Sequence, residues 1–388
     1  MRALDGIRVL EVAQVMAGPF CAMQLCDMGA DVIKVEPPGG DPTRHMGARR
    51  GLDSAGFAAL NRGKRAIVLD LKTEPGRQAF LRLVARSDIL IENFRPGVMR
   101  QLGLDYASLS ALHPPLIYAS ISGYGQTGPD AHKGGFDLIA QGVSGLMSVT
   151  GEPDRPPVKT GVPLTDLGAG LFALAAILAA LHHRDRTGRG QHIDTSLLEA
   201  GLALSVWEAA EYFAGGVTPQ PLGSAHRFLA PYEAIRCSDG YITIGAGTDR
   251  LFAELCDRLG HREWAAMPEL ADAAARVQHR AALTSRIEAI TTTNTRAFWL
   301  DRLEARGIPC GPINTYADAF ADPHVRARDM VVEIDHPALG RVPTLGSPIK
   351  MSDTQPVVGR RVPRLGEHTH DVLREAGLSD SEIALLTI

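Results

Sequence analysis

One carboxylate stands out by its surroundings. In Lys159-Thr160-Gly161-Val162-Pro163-Leu164-Thr165-Asp166-Leu167-Gly168-Ala169-Gly170 the acidic side chain is Asp166, and the uncharged, Ala/Leu-rich run 167–181 follows it. Pro163 and the glycines mark a loop. The apolar run reads as a buried helix, too short for a bilayer span of about 20 residues. Thr165 or Asp166 is placed to cap that helix, because a short side-chain oxygen there accepts from a free helix N–H. The same position suits a nucleophile or base held at a cleft. Local sequence leaves both readings open.

Other groups able to do chemistry are weaker. The segment 41–64 is basic (Arg44, His45, Arg49, Arg50, Arg62, Lys64) and is either a solvated loop or a holder of phosphate or carboxylate groups. Lys72 is an isolated cation. Gly245-Ala246-Gly247 either turns the chain or forms a mobile flap whose N–H groups stabilise an oxyanion. His132, His182, His183 and His192 lack metal-ligand spacing, and the pair 182–183 suits the dipole at the end of the apolar helix. Gly142-Val143-Ser144-Gly145 is not a GxSxG elbow. Gly123-Tyr124-Gly125-Gln126-Thr127-Gly128 matches GxGxxG literally and follows a strand. No clean helix starts after Pro129, and no strand ends in an acid about 20 residues on, so nicotinamide and flavin binding are rejected.

The elements that must position these residues alternate. Strands are expected at 7–12, 31–36, 66–71, 88–92 and 116–122, with helices at 20–28 and 76–85 between them. Such βαβ units are right-handed and build an open, mostly parallel, Rossmann-like α/β sheet. Ligands then bind at the carboxyl ends of strands, here Glu36-Pro37, Leu71-Lys72, Asn93-Phe94 and Gly123-Tyr124. A short strand within 188–194 and one helix over 197–213 follow. Beyond the Gly/Pro-rich 215–223 the texture changes. Two strands, 232–235 and 241–244, flank Ser238-Asp239-Gly240 as a hairpin, and a helix is expected at 250–259. The division expected is a large domain over 1–200, a linker over 201–224 and a small α+β domain over 225–325. The last stretch, 326–388, carries a strand at 331–334 and a helix at 370–376 and returns to the large domain.

The chain of 388 residues has a net charge of −4 and 22% charged residues, which gives no reason to expect a nucleic-acid partner. Cys21, Cys26, Cys237, Cys256 and Cys310 are odd in number and scattered without a CxxC pair. They read as reduced thiols of a cytoplasmic protein, with no disulfide framework and no zinc site. Residues 1–6 run into the first strand without an apolar leader, and no membrane association is expected.

Taken in order, longer strings resemble the class III CoA-transferases. They are Val12-Ala13-Gln14-Val15-Met16-Ala17-Gly18-Pro19, Gly29-Ala30-Asp31-Val32-Ile33-Lys34-Val35-Glu36, Gly40-Asp41-Pro42-Thr43-Arg44, Asn61-Arg62-Gly63-Lys64-Arg65, Leu69-Asp70-Leu71-Lys72 and Glu92-Asn93-Phe94-Arg95-Pro96-Gly97. Ser122-Gly123-Tyr124-Gly125-Gln126-Thr127-Gly128-Pro129, Thr165-Asp166-Leu167, Gly188-Arg189-Gly190-Gln191 and Ala230-Pro231-Tyr232 complete the series. Each string alone is weak, but their shared order runs along almost the whole chain.

The resemblance implies an interlocked homodimer and a reaction without metal or resident cofactor, on a coenzyme A thioester donor and a carboxylate acceptor. Asp166 would be the nucleophile, kept ionised by its helix N-terminus, with Gly245, Ala246 and Gly247 as the glycine loop over the site. Val15, Ala17, Leu69, Lys72, Asn93, Phe94, Arg100, Tyr124 and Lys133 would contact CoA. Pro37 and Gln101 stand where some members carry arginines toward CoA, and Arg100 is adjacent. The racemase branch has Gly-His-Asp where this chain has Gly135-Phe136-Asp137, and phenylalanine cannot shuttle a proton. Gly223-Ser224-Ala225-His226 and Pro231-Tyr232-Glu233-Ala234 look most like the branch that uses succinyl-CoA with dicarboxylates. Arg44, His45, Arg49 and Arg227 are candidates for the second carboxylate. The competing readings are a 2-methylacyl-CoA racemase and a non-catalytic CoA-binding protein.

Overall fold

The computed structural model describes every residue except Ala48, Gly51, Leu52, Ala338, Leu339, Gly359, Arg360, Thr387 and Ile388, and the side chains of Arg49, Arg50 and Asp53. The expectation for Arg49 therefore lies outside the described side chains. The chain divides into two units. The first comprises Met1–Leu146, Thr160–Gly216 and Pro323–Ile388, and the second Met147–Lys159 and Val217–Asp322.

The first unit is built on six strands: β1 (Arg8–Glu11), β2 (Asp31–Glu36), β3 (Arg65–Val68), β4 (Ile89–Glu92), β5 (Ile117–Ser122) and β6 (His192–Ser196). Their order is β3-β2-β1-β4-β5-β6 and every pair is parallel. A parallel sheet is covered on both faces, so its strands read as nearly continuous apolar runs. Ile89, Leu90 and Ile91 are accordingly fully buried. Alternate residues serve opposite faces. Val9, Val32 and Ile89 pack with helices α1 (Ala17–Asp27) and, later in the chain, α6 (Leu164–Thr187). Leu10, Ile33 and Leu90 pack with α3 (Glu74–Val84), which follows α2 (Ala55–Asn61) in sequence. The direction of winding reverses between β1 and β4, and the crevice at such a switch point is where open α/β sheets bind ligands.

The same unit also contains α4 (Tyr106–Leu112), α5 (Asp137–Val143), α7 (Leu197–Leu204) and α8 (Val206–Gly215). Gly170 lets α6 approach α1, since a Cβ there would lie 2.7 Å from the Ala17 carbonyl oxygen. The apolar helix is longer than the uncharged run: it has 24 residues and ends at Gly188, in the left-handed region at φ 71°. By length and composition alone it could cross a bilayer, yet half of its apolar stretch is buried inside the protein. The single helix expected over 197–213 is two. Ser205 interrupts it at φ −88° and ψ 25°, its Oγ donating to the Gly201 carbonyl at 2.9 Å.

In the second unit β7 (Tyr232–Cys237), β8 (Gly240–Gly245) and β9 (Cys310–Pro312) form an antiparallel sheet in the order β9-β8-β7. It packs with α9 (Asp249–Leu259), α10 (Arg280–Thr291) and α11 (Arg296–Glu304) around Ile235, Ile242, Phe252 and Trp299. This parallel sheet with a smaller α+β unit is the fold class read from the sequence. The expected boundary at 200 misses Met147–Lys159, which groups with the second unit. That short polar stretch carries no compositional change that would mark an excursion.

The last segment holds the hairpin β10 (Val331–His336) and β11 (Gly340–Leu345) and helix α12 (Thr369–Glu375). It groups with the first unit, where the Val68 N–H donates to Thr369 Oγ1 at 3.1 Å and Arg65 pairs with Glu375 at 2.8 Å.

Candidate active site

The switch-point crevice is a cavity of about 330 Å³. Its wall includes the turn after β1 (Gln14, Val15, Met16, Ala17), the turn after β4 (Asn93, Phe94, Arg95), the end of β5 (Ile121, Ser122), the loop after it (Lys133, Gly134, Gly135, Phe136), Asp166 in the first turn of α6 and Leu197 of α7. Gly123 and Gly135 bring the two ends of the long loop together: a Cβ on Gly135 would lie 2.4 Å from the Gly123 Cα, so only glycine allows that closure.

Asp166 is not the cap of its helix. The residue before α6 is Pro163, which has no capping side chain, and Asp166 falls inside the first turn. The cap comes from α5 instead. Asp137 Oδ1 accepts from the Thr165 N–H at 3.0 Å and from Thr165 Oγ1 at 2.8 Å. Its Oδ2 accepts from Gln141 Nε2 at 2.7 Å, while Gln141 Oε1 accepts from the Thr160 N–H at 2.9 Å. A fully buried Gln141 thus ties the loop before α6 to α5.

The two neighbouring carboxylates therefore differ in kind. Asp137 spends its oxygens on holding the helix. Among the described residues no hydrogen bond reaches the Asp166 carboxylate, which lines the cavity. Burial, and then the charge of Asp137, push Asp166 up to about 7. This corrects the expectation that the helix N-terminus keeps it ionised. Desolvation without a compensating hydrogen bond raises a carboxyl and so opposes the helix dipole here.

The structure brings Val15, Ala17, Asn93, Phe94 and Lys133 to the Asp166 cavity, with Lys133 Nζ 2.8 Å from Asp130. It does not bring the others. The Leu69 side chain is core, 2% exposed. Lys72 is exposed in the turn between β3 and α3, and Tyr124 lies in the loop after β5 without lining the cavity. Arg100 lines a different cavity and sits 3.5 Å from Asp105.

Arg44 is not available to a substrate carboxylate. It is buried, donates to both oxygens of Glu36 at 2.8 and 2.7 Å, and stacks on Phe57. The acidic residues at the end of β2 attract this cation inward, and the basic look of 41–64 is in part an internal ion-pair layer. His45 is exposed and does not line the cavity. Arg227 belongs to the second unit and donates to the Gln220 carbonyl at 3.0 Å.

The glycine loop is also tied down. The Gly245 N–H donates to the Pro309 carbonyl at 2.8 Å and the Ala246 N–H to Pro231 at 2.9 Å. The Gly247 carbonyl accepts from Arg276 Nη2 at 2.8 Å. These bonds extend the antiparallel sheet, so two of the three N–H groups expected to meet an oxyanion are committed.

Sequence reasoning missed Asp137, Gln141 and Arg95. Arg95 lines the Asp166 cavity, and its guanidinium lies against Gly134. The signal for Asp137 was its place directly after the Gly-Gly-Phe string. A second cavity, also about 330 Å³, is lined by Glu92 of β4, Tyr118 and Ser120 of β5, and His192 and Asp194 of β6. Glu92 there is pushed up to about 7 by burial and accepts from the Phe94 N–H at 2.8 Å. His192 Nε2 lies 3.0 Å from Ser120 Oγ and its ring stacks on Tyr106. Among the described residues no group of His, Cys, Asp and Glu is arranged to hold a metal ion.

A family model described as "CoA-transferase family III" matches residues 4–369. The succinate–glutarate CoA-transferase of Agrobacterium fabrum is 43% identical over 380 residues, covering 96% of this chain and 95% of that protein. The succinyl-CoA:mesaconate CoA-transferase of Haloarcula marismortui is 42% identical over 389 residues, covering 97% of each. Among solved structures, a CAIB/BAIF family protein from Brucella suis superposes with a TM-score of 0.87 at 45% identity, covering 97% of this chain and 99% of that one.

Proposed function

The chain belongs to CoA-transferase family III and is a CoA-transferase, and on that premise we propose that it moves CoA from succinyl-CoA to a dicarboxylate, with Asp166 as nucleophile. The observation that carries this reading is the contrast between the two carboxylates: Asp137 is consumed by three hydrogen bonds, while Asp166 presents free oxygens to the cavity.

The steps balance without a redox partner. Asp166 Oδ attacks the thioester carbonyl and expels CoA thiolate, giving an acyl-aspartyl anhydride. The thiolate attacks the aspartyl carbonyl and expels succinate, leaving an aspartyl-CoA thioester. The acceptor carboxylate attacks that thioester and releases the thiolate. The thiolate then takes the acceptor's acyl carbon and frees Asp166. Splitting one exchange into four displacements is covalent catalysis. Arg95 and Lys133 supply positive charge to the cavity, which suits an anionic donor and acceptor.

The dicarboxylate class is supported by the printed names of two relatives, a glutarate and a mesaconate transferase. Phe136 lines the cavity where a racemase needs a proton carrier, which favours transfer over epimerisation. The test is a screen of itaconate, glutarate, hydroxymethylglutarate, malate and monocarboxylates with succinyl-CoA, reading each new acyl-CoA by mass. New dicarboxyl-CoA thioesters are expected. Exchange of the α-proton of a 2-methylacyl-CoA without transfer would overturn the reading.

We also propose that the enzyme works as a homodimer. The support is an apolar outer surface on α6, α7 and α8: Leu171, Leu202, Val206, Trp207 and Phe213 are all at least half exposed. Exposed apolar area of this extent marks an interaction surface. Sedimentation should give twice the 41.5 kDa of one chain, and Trp207→Glu with Phe213→Glu should shift it toward one. A wild-type mass of one chain at assay concentration would reject the dimer. A cytoplasmic location is proposed on the five free cysteines.

A further inference from the structure

Val15 lies in the wall of the Asp166 cavity with φ at +66°. The other described non-glycine residues with positive φ are Asp154 and Asp329, a type that tolerates the left-handed region. A β-branched residue adopts it only under constraint.

The constraint is visible. Asn93, across the switch point, uses its carboxamide as a neighbouring strand would. The Gln14 N–H donates to Asn93 Oδ1 at 2.8 Å, and Asn93 Nδ2 donates to the Gln14 carbonyl at 2.7 Å. On either side the turn is pinned by fully buried lysines. Lys34 Nζ donates to the Ala13 carbonyl and Lys64 Nζ to the Pro19 carbonyl, both at 3.0 Å. With Ala13, Gln14 and Pro19 fixed, the chain must turn between them, and Val15 takes the strained conformation.

We infer that Asn93 is a positioning residue: its carboxamide clamps Gln14 and so holds Val15 left-handed in the wall of the cavity that contains Asp166. The carboxamide works on the backbone of the protein rather than on the substrate. The clamp stands on geometry, and its kinetic consequence rests on the transferase reading.

The experiment is a cycle of Asn93→Ala and Val15→Gly, read twice. In turnover, Asn93→Ala should lower kcat by on the order of 10²-fold, as a misplaced wall does, while KM for the acyl-CoA stays within about twofold. Val15→Gly in that background should restore most of the loss, because glycine takes a positive φ without a clamp. Asn93→Asp keeps the acceptor for the Gln14 N–H and should fall between wild type and Asn93→Ala. A raised KM with kcat intact and no rescue by glycine would make Asn93 a substrate contact and overturn the clamp.

In ligand-free protein the melting-temperature changes of the two substitutions should not add. Loss of the clamp should cost more in the glycine background, where no strain is released. Additive changes would overturn the clamp. This arm needs no activity, so a protein that transfers no CoA refutes the transferase reading while the clamp is still judged.

Discussion

Asp166→Asn is expected to remove transfer and, above pH 7, to make the protein more stable. The carboxylate is largely buried beside Asp137, with no hydrogen bond among the described residues, and is pushed up from 3.8 to about 7. Its folded value lies above its unfolded value, so the folded state favours the neutral form. Below pH 3.8 both states hold the proton and nothing is lost. As pH rises from there to about 7, the unfolded chain releases the proton first and stability falls. Above that window the cost is constant, of the order of 4 kcal/mol at about 1.4 kcal/mol per pKa unit.

Asparagine does not titrate and escapes the cost. Urea melts should therefore show a larger gain for Asp166→Asn at pH 8 than at pH 5. Loss of the nucleophile should lower kcat by about 10⁴-fold or more. In the wild type, kcat/KM should fall about tenfold per pH unit below about 7, since only the carboxylate attacks. Asp166→Asn with turnover within about tenfold of wild type would end the nucleophile assignment. A flat wild-type profile would mean that the helix dipole prevails over burial.

The second large effect is on folding. Replacing Glu11 by glutamine should destabilise the protein by about 3–5 kcal/mol, the usual cost of breaking a buried ion pair. Glu11 is fully buried at the end of β1, 2.9 Å from Lys34 and 2.6 Å from Lys64. Lys34 keeps Asp41 at 2.8 Å. Among the described residues Lys64 keeps only neutral acceptors, Pro19 and Asn61. Burial already holds Lys64 below its usual value of 10.5, with Glu11 opposing that. Without Glu11 it falls further, and the buried ammonium is relieved only by losing its proton. The deficit of Glu11→Gln should accordingly shrink as pH is raised toward the ordinary lysine value. A variant as stable as wild type at pH 7 would show that the ion cluster is dispensable.

Both effects arise from residues whose types were readable and whose environments were not. Glu11 was one charge in a strand pattern, and burial on both sides of a parallel sheet made it a structural ion. Arg44 was a candidate for a substrate carboxylate because a guanidinium fork suits one; Glu36 and the Pro363 carbonyl, 319 positions away, claim it instead. The glycine loop read as a flap because glycine permits motion, yet pairing with Pro309 and Pro231 fixes two of its N–H groups. The helix break at Ser205 was invisible because Leu and Val continue the apolar pattern on both sides.

The alternation of strands and helices, the uncharged helix behind Asp166 and the ordered strings along the chain determined the fold class and the family from sequence alone. These are local or collinear signals: hydrophobic periodicity carries the elements, and the resemblance of the ordered strings carries the family, without reference to distant partners. Tertiary structure decided the hydrogen bonding of the two carboxylates, since Asp137 is spent on Thr165, 28 positions away. It also decided that Asp166 is pushed up to about 7, because acidity follows burial and hydrogen bonding. And it decided the partner of Asn93, which bonds Gln14 across 79 positions of sequence, beside the positive φ of Val15. Spacing along a chain does not encode which atoms meet at a switch point; only the closed sheet does.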